Sequence, residues 1–344
     1  MRRLAYPFGG STPPNSSAPS IFAPMRSLRW VVAVGFGVSL LACAGSSTEA
    51  LPEATPPPPP TLPYDRDFYA LAQDARFSGS VLVAHPDTVF ERSYRYADAP
   101  ERMHTASNRR YPIGEIAQVL LRAAYFTLAD QGRINLNAPI AEHVPELAGL
   151  RYGGQPARIN YRMVLDHRAG LPEGLPAGER LGDLTLRSQP GIEEHYSALG
   201  YDLLARALAE RMGNRVEEVI RINVLQPATM RNTDVFVPEA GEFGNRAVGF
   251  TDAGGALAEV PLGALEGRGL PGGLPEYYST ITDLFYLAQW LPESAYLRGA
   301  ITQPAVRPGY RGLFYATADE ERVAVVLSNF GGTDLAEVRR LVQK

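Results

Sequence analysis

Glu115 and Gln118 open an otherwise apolar stretch, EIAQVLLRAAYFTLADQG (115–132). On a helix, a spacing of three puts both side chains on one face. A carboxylate at a helix start has two uses. It can activate a water as general base, or it can simply complement the positive end of the helix dipole. The second needs no further group and is the simpler expectation. Gln118 has no proton to exchange near neutral pH, so it can hold a partner but cannot act as a base. A second cluster is Tyr196-Ser197-Ala198. Ser197 would need a base within reach to serve as a nucleophile; none is evident along the chain, and Ser197 reads instead as the residue that starts the next helix. The five histidines are His85, His104, His143, His167 and His195. None sits in a metal-ligand spacing, and the lone Cys43 has no thiol partner, so neither a metal nor a cofactor is expected. There is no Gly-x-Ser-x-Gly elbow, phosphate loop or dinucleotide fingerprint.

The elements that must position these residues are legible. FSGSVLVAHPDTVFERSYRYAD (77–98) carries two β-rich runs around His85-Pro86-Asp87 and predicts a hairpin. ERVAVVLSNF (321–330) predicts a strand near the other end, followed by a helix over 333–344. Between them lie three helices. In 115–132 the apolar face is Ile116, Leu120, Ala123, Thr127 and Leu128, with Gly132 past the end. In 197–213 it is Leu199, Leu203, Leu204, Ala207 and Leu208, with Gly213 as terminator. The third, 280–291, is opened by Thr280 or Thr282. Strands at both termini around a helical block predict an α+β domain whose terminal strands share one sheet. No internal repeat is present.

The chain has 344 residues, 45% apolar and 20% charged, enough to bury a sizeable core. A net charge of −4 gives no basic face for nucleic acid. The scattered arginines read as solvated surface and helix-end charges.

The N-terminal part reads as an address. Residues 1–24 are a leader or an overextended start, Met25 being the sensible first residue. Residues 25–43, MRSLRWVVAVGFGVSLLAC, have a basic start and an apolar run too short to span a membrane comfortably. The ending Leu40-Leu41-Ala42-Cys43 resembles a bacterial lipobox and implies lipidation of Cys43 and a membrane anchor. Ala44 after the cysteine implies an outer-membrane lipoprotein of the cell envelope, facing the periplasm or the cell surface. Residues 44–63 hold five consecutive prolines, a stalk extended at about 3.1 Å per residue. The folded domain is then 64–344.

Six segments, in order, carry a resemblance. YPIGEIAQVLL is similar to Phe-x-Ile-Gly-Ser-x-x-Lys, LADQGRINLNAPIAEHVPEL to Gly-x-Leu-x-Leu-Asp-x-Pro, and INYRMVLDHRAGLPEG to Leu-Leu-x-His-Thr-Ser-Gly-Leu-Pro. PGIEEHYSALGYDLLARALAERMG is similar to Pro-Gly-x-x-x-x-Tyr-Ser-Asn-x-x-Tyr-x-Leu-Leu, QPATMRNTDVF to Pro-Leu-Gly-Met-x-x-Thr-x-Phe, and PGGLPEYYSTITDLFYLAQWL to Gly-Gly-Leu-x-Ser-Thr-x-x-Asp-Leu. Over residues 77–330 the chain resembles the serine β-lactamase and penicillin-binding-protein superfamily: class C β-lactamases, D-alanyl-D-alanine carboxypeptidases and related esterases. The resemblance implies a mainly antiparallel sheet flanked by helices, with a helical lobe. It also implies that the nucleophilic serine and its lysine stand at Glu115 and Gln118, that the shuttling tyrosine survives as Tyr196, and that its partner asparagine is Ala198. The third motif of the family falls on Val306-Arg307-Pro308, where a proline would remove a donor from the strand lining the site. His167 takes the place of a histidine in a structural turn, and Asp166 reads as loop surface.

Two function classes follow. One is a non-catalytic envelope lipoprotein whose cleft, around Glu115, Gln118, Tyr196 and Ser197, binds a peptidoglycan-related fragment, another ligand or an envelope protein. The other is an active peptidase, esterase or β-lactamase with rearranged catalytic residues.

Overall fold

The structure, a computed structural model, describes residues 63–98, 103–236, 244–254, 256–265, 269–295, 300–319 and 321–343. The expected leader, signal segment and Cys43, with nearly all of the proline-rich stalk, lie outside the described residues.

A hairpin forms where the sequence places one. Strand β1 (Gly79–His85) pairs antiparallel with β2 (Thr88–Tyr94) across the two-residue Pro86-Asp87 turn. The short β3 (Tyr111–Pro112), β4 (Asp234–Val235) and β5 (Tyr277–Ser279) form a separate three-stranded sheet in the order β3-β5-β4. Near the C-terminus come β6 (Ala300–Arg307), β7 (Tyr310–Thr317) and β8 (Val323–Ser328). The main sheet has the order β6-β7-β8-β1-β2, so the two ends of the domain meet at its centre, Val81 opposite Val326.

That sheet is covered on both faces, which is why β1 and β8 read as continuous apolar runs rather than alternating ones. Strand periodicity sends Val81 and Val83 to one side, Leu82 and Ala84 to the other. The first side packs with Val326 and Leu313 against Phe68 of helix α1 (Pro63–Gln73) and against Val338 and Val342 of the C-terminal helix, residues 335–342. The second side packs with Phe314, Val325 and Leu327 against the helical block. In that block run α2 (Ala117–Asp130), α3 (Tyr161–Leu165), α4 (Ala198–Met212) and α5 (Ile281–Trp290); the C-terminal helix Leu335–Val342 is α6. The α+β fold with antiparallel sheets and a helical lobe is the one the resemblance implies.

The caps are those the sequence offers. Ser197 Oγ accepts from Gly200 N at the start of α4, Thr280 Oγ1 from Asp283 N at the start of α5, and Asn160 Oδ1 from Met163 N at the start of α3. Helix α4 ends on Gly213 at φ +61°.

Three expectations are corrected. Helix α2 does not present a single apolar face: residues 117–126 are all buried, Gln118 and Arg122 included, because it runs through the interior of the helical block against α4 and residues 216–225. The arginines are not all solvated: Arg122 is 5% exposed and Arg246 8%. Asp166 is not loop surface. It is buried, paired with Arg122 at 3.0 Å and Arg162 at 2.6 Å.

Candidate functional site

The chain enters α2 through a single 3-10 turn, Gly114–Ile116, which places Glu115 just ahead of the helix and Gln118 in its first turn. Gly114 has φ +50°, the left-handed region that glycine adopts without strain. A Cβ there would also stand 3.2 Å from the Arg307 guanidinium carbon, so its absence lets Arg307 lie across the helix start.

Arg307 comes from the end of β6, the edge strand of the main sheet. Its guanidinium pairs with the Glu115 carboxylate and, through Nε at 2.7 Å, with Glu276. Glu276, on the residue before β5, has a side chain only 5% exposed and also accepts from Gly114 N at 2.7 Å. The second oxygen of Glu115 accepts from Val306 N at 2.8 Å. The Arg307–Tyr310 pair closes a two-residue turn, so the Val306 N–H points off the free edge of the sheet. Glu115 fills that position.

The third-motif expectation is corrected in part. Val306 and Arg307 do end a strand at the site, but Pro308 lies beyond β6, in the turn with Gly309 (φ +73°). It removes no bond from the ladder. The proline inside the strand is Pro304, two residues before Val306 and so also turned to the free edge.

Gln118 donates from Nε2 to the Tyr196 hydroxyl at 3.0 Å, while its Oε1 is buried without a partner. Tyr196 packs against the His167 ring at a tilt, centroids 5.0 Å apart. His167 sits at φ +55° in the turn after α3. Its carbonyl accepts from His195 N at 2.7 Å and its Nδ1 from Ser197 N at 3.2 Å, so one turn holds Tyr196 from both flanks. Ser197 Oγ donates to the Pro172 carbonyl at 2.6 Å, away from any base. Burial and nearby Arg122 push the His167 ring down to about 4, so it is neutral at pH 7. Burial pushes the Tyr196 hydroxyl up to about 12, the Gln118 bond opposing it. Burial works against the charge of Arg307, but Glu276 and Glu115 hold its proton more firmly than usual. Burial raises the Glu276 carboxyl, with Arg307 opposing.

Glu115, Gln118, Glu276, Val306 and Arg307 border a cleft of about 820 Å³, also lined by Glu173, Asp202 and Arg311. Glu115, Gln118 and Ala198, the first residue of α4, line it. The other two expected cleft residues, Tyr196 and Ser197, are not among those that line it; Tyr196 is joined to it through its hydrogen bond from Gln118. Glu276, Arg307 as an ion-pair partner and Asp202 were not foreseeable as site residues. They lie far apart in sequence, and no local spacing marks them. Among the described residues, no group of three or more His, Cys, Asp or Glu side chains is placed to hold a metal ion.

Comparison with known proteins agrees with the fold. A family model described as Beta-lactamase matches residues 68–324, and the chain belongs to that family. Protein flp of Staphylococcus aureus (strain MW2) is 27% identical over 169 residues, covering 45% of this chain and 34% of its own length. The D-alanyl-D-alanine-carboxypeptidase/endopeptidase AmpH of Escherichia coli (strain K12) is 26% identical over 204 residues, covering 54% of this chain and 50% of its own. The chain therefore matches half or less of the length of these curated relatives. The class C beta lactamase from Rhodobacter sphaeroides superposes with a TM-score of 0.66 at 15% identity, covering 82% of this chain and 97% of that one. That likeness concerns the fold.

Proposed function

We propose that this β-lactamase-related chain is a non-catalytic member of its family: a cell-envelope lipoprotein, anchored through Cys43 in the outer membrane, whose cleft binds a peptidoglycan-related fragment, another ligand or a protein. One observation carries the reading. At the position where the resemblance expects a nucleophile stands Glu115, and its carboxylate is engaged by both Arg307 and Val306 N. Acyl transfer needs a nucleophile, a base for its proton and donors for the developing oxyanion. Glu115 cannot give an ordinary acyl ester, Gln118 cannot take a proton, and the strand-edge donor of Val306 is already occupied. Removing one member of such a catalytic unit commonly costs a factor of about 10⁴.

The alternative, an active hydrolase with rearranged residues, needs another nucleophile–base pair. Ser197 with His167 does not supply one, because Ser197 Oγ caps a helix and donates to a carbonyl, while His167 Nδ1 accepts a backbone N–H. Purified protein should neither hydrolyse a chromogenic cephalosporin or a short-chain p-nitrophenyl ester nor take up fluorescent penicillin as a hydroxylamine-labile adduct. Saturable turnover, or such an adduct, would establish the alternative. Glu115→Ser with Gln118→Lys should not restore full activity, since Ala198 and the Val306-Arg307-Pro308 segment are unchanged.

A further inference from the structure

We infer that Glu115 is an autoinhibitory side chain: a tethered carboxylate that closes a carboxylate receptor in the cleft wall, and with which a free carboxylate exchanges. This device presupposes the binding role proposed for the cleft and governs access to it. The receptor is held in shape by groups other than Glu115. Arg307 Nε is fixed by Glu276 at 2.7 Å, and its Nη1 donates to the Val306 carbonyl at 3.1 Å. Glu276, with a side chain only 5% exposed, is in turn fixed by Gly114 N at 2.7 Å. The guanidinium carbon lies 3.2 Å from where a Gly114 Cβ would stand, so the helix start backs it closely. Val306 N–H points off the free edge because the Arg307–Tyr310 pair sets the register of the hairpin, not because Glu115 draws it there.

Glu115 is the member that can leave. Its carboxylate meets only the end of β6 among the described residues, one oxygen on Arg307 and the other on Val306 N. Its side chain is 24% exposed, against 5% for Glu276. It stands in the 3-10 turn ahead of α2, so swinging the side chain away breaks these two contacts and no hydrogen bond of the helix. Gly114, Glu115, Glu276, Val306 and Arg307 all line the cleft, so a ligand there has access to the same groups. With Glu115 withdrawn, Arg307 and Glu276 remain as a neutral pair. An incoming carboxylate then brings the same single charge that Glu115 now supplies, and meets one guanidinium donor and one backbone N–H. A tethered competitor acts at an effective concentration on the order of millimolar or more, so a free carboxylate must exceed that to open the wild-type site.

The test uses the full-length protein in detergent, with acetate and 3-phenylpropionate as probes and 3-phenylpropanol and sodium chloride at matched ionic strength as controls. Binding is followed by NMR at the Val306 amide and the Arg307 side chain. Glu115→Ala should bind both carboxylates saturably, roughly tenfold or more tightly than the wild type. Its Tm should rise with them and not with the controls. Glu115→Gln keeps the volume and can still accept from Val306 N, so its affinity should fall between the two. Glu115→Ala combined with Arg307→Met should bind neither probe. In the wild type, carboxylate bound at higher concentration should shift the Glu115 carboxyl carbon together with the Val306 amide. The inference is overturned by a Glu115→Ala protein without a saturable shift at Val306, by a wild type that binds as tightly as the variant, or by wild-type binding that leaves the Glu115 carboxyl signal in place. Should Glu115→Ala not fold, a Glu115→Gln protein that binds no more tightly than the wild type overturns it equally. The binding role itself fails by a different readout, turnover of the chromogenic substrates.

Discussion

Three side chains in contact, Gln118 bonded to Tyr196 and Tyr196 against His167, decide what the site can do with a proton. The tyrosine is held protonated and the histidine neutral, so neither titrates between pH 6 and 8. The histidine should nonetheless leave a mark on stability. Its folded value of about 4 lies below the ordinary 6.5. The unfolded chain therefore binds more protons between those values, and stability rises with pH there. The contribution is fully present above pH 6.5 and is lost as the pH falls toward 4, a difference of roughly 3 kcal/mol at most. His167→Asn removes the titration, yet asparagine tolerates the positive φ and can still accept from Ser197 N. Thermal melts over pH 4–7 should show a smaller loss of Tm on acidification for this variant than for the wild type. Parallel curves would place the acid sensitivity elsewhere, for example at Glu146, whose carboxyl Arg206 holds low.

Helix α2 shows how an element holds the site. It is buried among other helical segments, so its one charged interior residue must be fully paired. Arg122 donates to Leu165 O at 2.7 Å, Ala295 O at 2.5 Å and Asp166 Oδ1 at 3.0 Å, and lies over the Phe126 ring. It thus joins α2 to the end of α3, one residue before His167. Breaking a buried pair from one side costs about 3–5 kcal/mol, because the remaining charge is stranded. Arg122→Met should lower the urea midpoint accordingly. Arg122→Met with Asp166→Asn should lose less than the sum of the two single variants, since the two charges share one interaction. Additive losses would show that the pair is not the source of the effect.

At the scale of the whole molecule, β1 and β8 lie side by side although about 240 residues separate them. Burial of the terminal helices α1 and α6 on one face of the sheet closes the domain behind them. The domain begins at the Pro-rich segment, and the lipid anchor is proposed at Cys43. Labelled palmitate should enter the wild-type protein, and Cys43→Ala should abolish both the label and recovery in the membrane fraction. Equal labelling of both proteins would refute the anchor.

Hairpin, helices and caps follow from local rules and are legible along the chain. Asn-Gly-like turns are not needed at Pro86-Asp87, Ser197 and Thr280 cap as expected, and Gly213 terminates α4 as its type requires. The resemblance carried by the six segments likewise implies that Glu115, Gln118 and Tyr196 share a site, and Gln118 does bond Tyr196. What the sequence could not show is which distant charges meet. Glu115 and Arg307 are 192 residues apart, and their pairing depends on the edge position of β6, on the turn that aims Val306 N outward and on the missing side chain at Gly114. Asp166 and Arg122 were hidden for the same reason. A charge reads as surface in sequence, because polarity is local while burial is set by which elements pack across it. Local chemistry determined the elements and the identities of Glu115, Gln118 and Tyr196; only tertiary packing decided that Glu115 closes the strand edge and that the Gln118 Oε1 is buried without a donor.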